Sequence, residues 1–387
     1  MPLPASALLP FYASSFTWNA CLGMTYMLVP LYARSLGMSG IEIGSLISLP
    51  VMVQIVFNLL SGAWTDRLGG NRTIMIGFAF TVFAGIAFPF STSIPALLAA
   101  QLMLAVSRSV YWPASWSLAS QFPGDRSKTM GRLNAITSAG QIMGTGLAGL
   151  LIEFLGFSTG FFTMAGLGAA AMGLAAMYRD APMSTLRAGS MLANYFALAR
   201  RRSIWFGVMC AYISAMPFTL SVSFYPILLV ELGYDADSAG WMLGARAIGS
   251  IAAGVVVAGF VRSIADLRAA VVPGLVVGLA VGASGLSREM LPVLAMLLTV
   301  GLAAGVMTVY FQLLVSSLST TEQRGSALAL AGLGWSLSHL STPVLMGFLK
   351  DRIGIVQSFE VLGVAIAVWT LLLIPAHRWA VKDGKPL

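Results

Sequence analysis

The sequence predicts an all-α membrane protein, with twelve transmembrane helices in two pseudo-symmetric six-helix bundles. Three observations predict it: a composition too apolar for a water-exposed surface, twelve apolar segments of helical length, and an internal repeat. Apolar residues make up 58% of the 387, and charged residues only 9%, against about 25% charged in an ordinary soluble domain. So few charges cannot cover a surface of this size in water, so lipid must do most of the solvating. The two cysteines, Cys21 and Cys210, sit in apolar runs. They read as small buried hydrophobes, not as a disulfide framework.

A bilayer-crossing helix needs about 20 mostly apolar residues. Six segments meet this over 8–33, 40–64, 73–92, 95–120, 130–155 and 158–178. Six more follow over 204–230, 238–261, 269–286, 291–317, 325–349 and 356–376. The N-terminal stretch "MPLPASALLP" lacks a basic n-region and reads as a short tail into the first span, not a signal peptide. The one long connection is 179–203, polar and basic, whose "MLANYFALARRR" portion suits an amphipathic surface helix. The division expected is therefore a bundle over 1–178, a cytoplasmic linker over 179–203 and a second bundle over 204–387.

Basic residues orient the spans, because Lys and Arg favour cytoplasmic loops. With the N-terminus inside, 16 of the 22 fall on the inner side and 4 (Arg34, Arg288, Lys350, Arg352) on the outer; Arg108 and Arg246 lie within spans. This bias puts both termini in the cytoplasm. It also accounts for the net charge of +8 as membrane topology, which removes the reason to expect a nucleic-acid partner.

The halves repeat. "LGMSGIEIG" (36–44) aligns with "LGYDADSAG" (232–240) at an offset of 196, and Arg72 with Arg268 at the same offset. Farther along the offset is 198, pairing Arg126 with Arg324, Gly149 with Gly347 and Gly156 with Gly354. A drift of two residues is what a change in loop length gives.

Residues 144–149, "GTGLAG", spell the dinucleotide fingerprint G-x-G-x-x-G. That fingerprint binds phosphate only between a strand and a helix, with an acid about 20 residues on. Here it lies inside span five, and "GLGAAAMG" follows where the acid belongs. Glycines four apart on a membrane helix instead let another backbone approach, so Gly140, Gly144 and Gly149 are expected at helix-packing surfaces.

Three motifs resemble the major facilitator superfamily. "GAWTDRLGGNR" (62–72) is similar to its G-x-L-x-D-R-x-G-R-R loop: Gly62, Asp66, Arg67 and Gly69 match, Trp64 stands for the leucine, and the basic pair is reduced to Arg72. Arg108 matches the arginine of R-x-x-Q-G, with Tyr111 and Trp112 in place of Gln and Gly. Span five is similar to the antiporter pattern G-x8-G-x3-G-P-x2-G-G through Gly131, Gly140, Gly144 and Gly149, with Thr145 for the proline and Ala148 for one glycine. The resemblance covers the whole chain. It implies two six-helix bundles, alternating access around a midplane site lined by spans one, four, seven and ten, and a bacterial cytoplasmic membrane. It also implies a cytoplasmic gate at Gly62, Asp66, Arg67, Gly69, Arg72 and Arg126.

An ionisable group in the bilayer core costs about 2.5–3.5 kcal/mol on insertion scales, so it is a functional candidate. Arg108, Arg246 and His339 are such groups. Arg108, Trp112 and Trp116 share a helix face, where an indole against the guanidinium is worth about 0.5–2 kcal/mol. Trp335, His339 and Pro343 share the same spacing in span eleven. By the 198 offset Trp112 corresponds to Tyr310 and Gln141 to His339. The expected substrate-binding set is Arg108, Trp112, Tyr310, Arg246, Gln141, Trp335, Tyr212 and Asn19. Tyr26 and Tyr225 are further candidates. His339, which titrates in the physiological range, is the leading proton-coupling residue, with Glu42, Glu153 and Glu360 behind it near outer span ends.

No Asp or Glu lies near the middle of spans one or four. Two arginines without a carboxylate favour an anionic, zwitterionic or neutral amphipathic solute. No H-E-x-x-H, G-x-S-x-G or Walker sequence occurs, and the two histidines are 38 residues apart, so neither enzyme chemistry, ATP drive, a metal nor a cofactor is expected. The expectation is a monomeric, proton-coupled secondary transporter of a small organic solute. A multidrug efflux antiporter is the alternative, and a channel or a membrane enzyme is less favoured.

Overall fold

The computed structural model describes residues 4–123, 125–178, 198–260, 266–317 and 324–381. Thirteen α-helices make up most of them: α1 Leu8–Ser35, α2 Gly40–Leu68, α3 Gly70–Ala87, α4 Ile94–Gln121, α5 Arg126–Ala175, α6 Arg202–Ser221, α7 Tyr225–Glu231, α8 Ala236–Phe260, α9 Arg268–Ala283, α10 Met290–Ser317, α11 Arg324–Ala331, α12 Leu333–Ile353 and α13 Ile355–Val381. No strand occurs among the described residues. Seven described segments are long and apolar enough to cross a bilayer. Segment α1 is not one of them, because Ser14, Ser15, Asn19 and Thr25 dilute its apolarity. Those four are nonetheless buried inside the protein.

Three spans differ from their sequence outlines. Spans five and six form one helical run, α5, broken only at Gly156 with φ 81° and ψ 169°. Fifty helical residues would extend about 75 Å, well beyond a hydrocarbon core of about 30 Å, so the left-handed turn at Gly156 separates two passes. Span seven divides into α6 and α7 around Val222–Phe224. Pro226 explains this, since its ring clashes with the carbonyl four residues back and it has no N–H to donate. Span eleven divides into α11 and α12 at Gly332.

The chain forms two compact units, one of residues 1–186 with 234–244 and the other of 187–233 with 245–387. The start of α8 thus groups with the first unit, a detail the sequence division lacks. Of the expected linker, residues 179–197 lie outside the described residues, and so does most of its proposed surface helix.

In the first unit α1 and α5 cross with their backbones nearly touching. A Cβ on Gly140 would stand 2.5 Å from the Phe16 carbonyl oxygen, and one on Gly144 would collide with the Ala20 carbonyl. Gly23 on α1 meets the Gln141 backbone in the same way. The other glycines of "GTGLAG" serve a second contact: Gly146 lies under the Trp241 indole and Gly149 against the backbone of Ala236 and Asp237. This stretch brings helices together and cradles no phosphate.

The second unit uses the same device. Gly301 and Gly305 on α10 meet the α8 backbone at Arg246 and Ser250. Gly334 on α12 meets α6 at Val208 and Tyr212.

The repeat is visible in the backbone. Gly37 and Gly233, 196 apart, have φ of 78° and 101°. Gly156 and Gly354, 198 apart, have φ of 81° and 83° and ψ of 169° and 168°. Among the described residues only glycines adopt positive φ, where a Cβ is disfavoured.

Candidate functional site

Within the first unit, polar side chains of α1, α3, α4 and α5 converge. On α1, Trp18, Cys21, Leu22 and Thr25 form one stripe at i, i+3, i+4 and i+7; on α4, Leu104, Ser107 and Arg108 form another. With Thr81 of α3 they line a pocket with an empty volume of about 180 Å³. Trp18 Nε1 donates to Thr81 Oγ1 at 3.0 Å and Ser107 Oγ at 3.1 Å. Its indole stacks on Tyr111, with centroids 3.8 Å apart and planes 25° apart. Arg108 donates from Nη2 to Thr25 Oγ1 at 3.2 Å, while its buried Nε has no hydrogen-bond partner.

A second network lies beside this pocket. Gln141 Nε2 donates to Asn19 Oδ1 at 3.0 Å, and Asn19 Nδ2 donates to Ser15 O at 2.8 Å and Tyr111 OH at 3.2 Å. Side-chain bonds between membrane helices contribute about 0.6 kcal/mol each on average, so these bonds fix orientation more than they add stability. Of the sequence candidates here, Asn19 is fully buried, and Gln141, Trp112 and Arg108 are half-buried. The expected contact of Trp112 with the Arg108 guanidinium is corrected. Among the described residues no cation–ring contact joins them. Trp112 instead meets Tyr111 edge-on at 5.2 Å and Trp116 at 5.9 Å, and Arg108 turns to α1. Trp18, Thr25, Thr81, Ser107 and Tyr111 were absent from the candidate set. The helical stripes on α1 and α4 are the sequence signal that could have found four of them.

In the second unit Arg246, Trp335 and His339 come together around a residue the sequence reading passed over, Phe218 of α6. Arg246, buried on α8, holds its guanidinium carbon 5.4 Å from the Phe218 centroid, and its Nη1 lies 3.5 Å from Ser250 Oγ. His339 Nδ1 lies 2.9 Å from the Trp335 carbonyl and 3.3 Å from Thr219 Oγ1. A carbonyl only accepts, so this contact places the ring hydrogen on Nδ1. Tyr212 is not part of this group: its hydroxyl pairs with Ser341 Oγ at 2.8 Å and its ring lies edge-on to Trp369. Tyr310 is fully buried on α10, unlike its repeat partner Trp112. Tyr225 is buried and bonded to Ser284 at 3.0 Å; Tyr26 is buried on α1.

Two of the three carboxylates offered for proton coupling are engaged at helix starts. Glu42 completes a capping box with Ser39, whose backbone N and Oγ donate to Glu42 Oε2 at 2.8 and 2.9 Å. Glu153 Oε2 accepts from the backbone N of Ala236, the first residue of α8, at 3.1 Å. An anion is favoured there by the helix dipole. Glu360 is half-buried on α13.

At the α2–α3 corner Gly69 has φ 88° and ψ 155°, and its N–H donates to Thr65 O at 3.0 Å. That conformation lets α3 start one residue after α2 stops. Arg72 is exposed. The side chains of Gly62, Asp66, Arg67 and Arg126 lie outside the described residues.

Comparison with known proteins places this architecture. Two solved structures of the same fold are a nucleoside transporter, NupG, and a bacterial homologue of the human lysosomal transporter Spinster in an inward-facing, unoccupied conformation. NupG has a TM-score of 0.83 and 13% identity over 97% of this chain and 99% of its own. The Spinster homologue has a TM-score of 0.80 and 16% identity over 99% of both chains. Sequence relatives include multidrug resistance protein 2 of Bacillus subtilis, 24% identical over 135 residues, and the quinolone resistance protein NorA of Staphylococcus aureus, 23% identical over 134. The match spans about a third of this chain, 34%, and the same share of each relative. The model of the Major Facilitator Superfamily matches residues 11–235 and again 204–385. With its all-helical multi-pass architecture and its matched repeat, the chain belongs to the Major Facilitator Superfamily.

Proposed function

We propose that this chain is a transporter, not an enzyme. In this reading it moves a small organic solute by alternating access coupled to protons, and the solute is anionic, zwitterionic or neutral and amphipathic. The observation that carries the solute class is Arg108. Its guanidinium borders the pocket of the first unit, bonds to one threonine, and keeps a buried Nε without a partner. A buried donor left unmade costs about 1–3 kcal/mol, and a carboxylate or a carbonyl of the solute would remove that cost. Proton coupling is supported by His339, held by Nδ1 with its titratable ring half-buried among aromatics. The engagement of Glu42 and Glu153 in caps leaves it fewer rivals.

The test is a thermal-shift screen of the purified protein against carboxylates, amino acids, nucleosides and quaternary ammonium compounds. Melting should rise with members of the first three classes. Stabilisation by the cations alone would overturn the reading. It would favour the second one, a multidrug efflux proton antiporter, which the names of the two bacterial relatives and the glycine pattern of α5 support.

The same reading puts both termini and residues 179–203 in the cytoplasm, on the basic-residue bias. Ser190→Cys in a protein without Cys21 and Cys210 should resist an impermeant thiol reagent in intact cells. Labelling from outside would reverse the orientation.

A further inference from the structure

We infer that the second unit carries a stacking slot for a planar aromatic ring bearing a carboxylate, with Trp335 and His339 as one wall, Phe218 as the other and Arg246 as the charge. This inference rests on the proposed transport of an anionic solute and names its chemical class.

The two walls differ in construction. Trp335 and His339 stand one turn apart on α12. Their planes are 21° apart and their centroids 5.9 Å, so they present one extended and nearly flat aromatic surface. Phe218 comes from α6 and lies 5.8 Å from Trp335 and 5.5 Å from His339, tilted 43° and 45° to them. Rings filling a core close on one another and leave little surface. These three are all only half-buried, so the wedge between the walls retains uncovered ring face. Such a face takes another ring by offset or edge contacts worth about 0.5–1.5 kcal/mol beyond burial.

The charge stands at the back of the second wall, where the Arg246 guanidinium sits 5.4 Å from the Phe218 centroid. A buried guanidinium favours a carboxylate by charge-assisted, often bidentate bonding. An aliphatic acid would use the charge and waste the rings, whereas a neutral aromatic would use the rings and waste the charge. An aromatic acid uses both. Backbone contacts hold the arrangement: Gly301 of α10 packs on the Arg246 carbonyl and Gly334 of α12 on α6, so each wall is tied to a rigid crossing.

The experiment measures dissociation constants of the full-length protein in detergent for indole-3-carboxylate, benzoate, cyclohexanecarboxylate and benzamide. The two aromatic acids should bind at least about tenfold tighter than cyclohexanecarboxylate, which keeps the charge, and than benzamide, which keeps the ring. Phe218→Leu should reduce the preference for benzoate over cyclohexanecarboxylate to under about threefold, and Phe218→Tyr should keep it. Equal affinity for the saturated and aromatic acids in the parent protein would overturn the slot, whether or not Phe218→Leu folds. So would an undiminished preference in a folded Phe218→Leu. Failure of all three acids alongside binding of quaternary ammonium compounds would instead reject the anionic reading on which the slot depends.

Discussion

Arg108→Ala is expected to raise the dissociation constant for substrate about 10- to 100-fold, and Arg108→Lys to raise it by less. A hydrogen bond to a charged group is worth about 1.5–3 kcal/mol, and each 1.4 kcal/mol is about tenfold. Lysine keeps the charge and loses the planar fork, so it can answer an anion but not the paired geometry of Nη2 on Thr25 and Nε toward the pocket. Removing Arg108 leaves Thr25 and Ser107 with each other's neighbourhood intact, since Ser107 bonds to Trp18 and Thr81 and Thr25 to the Leu22 carbonyl. The melting temperature should therefore stay close to that of the parent. An unchanged dissociation constant in the alanine variant, with transport lost, would move Arg108 from binding to coupling.

His339→Gln should bind substrate within about threefold of the parent and lose all acceleration by a pH gradient. Glutamine can still donate to the Trp335 carbonyl, as Nδ1 does at 2.9 Å, but it cannot take up a proton. An ordinary histidine titrates near pH 6.5, which suits a carrier that meets both a proton-rich and a proton-poor side. Reconstituted vesicles with and without an imposed gradient make the measurement. Equal gradient dependence in variant and parent would reduce His339 to a packing residue. Glu360 would then be the carboxylate to test first, because Glu42 and Glu153 already serve helix starts.

The fold was legible because its signals are local. Length and apolarity mark a span without any knowledge of its neighbours. Gly37, Gly156, Gly233 and Gly354 stand in the sequence at repeat offsets and in the structure at matched positive φ. The capping box was equally legible: Ser39-x-x-Glu42 has the spacing of that motif, and reading Glu42 only as an acid near a span end overlooked it. Glu153 gave no such notice, because its partner is 83 residues away.

The site was half legible for a similar reason. Rare residue types in apolar runs, Arg108, Arg246 and His339, announce themselves. Trp18, Tyr111 and Phe218 do not, because an aromatic in a membrane helix is ordinary and its role depends on how neighbouring helices are rotated. Pairing of Arg108 with Trp112 failed on that ground: i,i+4 spacing puts both on one face, but rotamer choice sent one to α1 and the other to an aromatic row.

Synthesis runs from α1 to α5, so α1 enters the bilayer before its partners exist. Trp18 meets Thr81 and Ser107, 63 and 89 residues farther along, and Asn19 meets Gln141 after 122 residues. At about 5–20 residues per second, the ribosome needs roughly 6–24 s to deliver Gln141. Until then Asn19 has only the Ser15 carbonyl of its own helix to bond to. The first span to leave the ribosome is thus one of the least able to stand alone in lipid. Its polar stripe needs shelter during biogenesis until α5 docks and Gly140 and Gly144 bring the two backbones together.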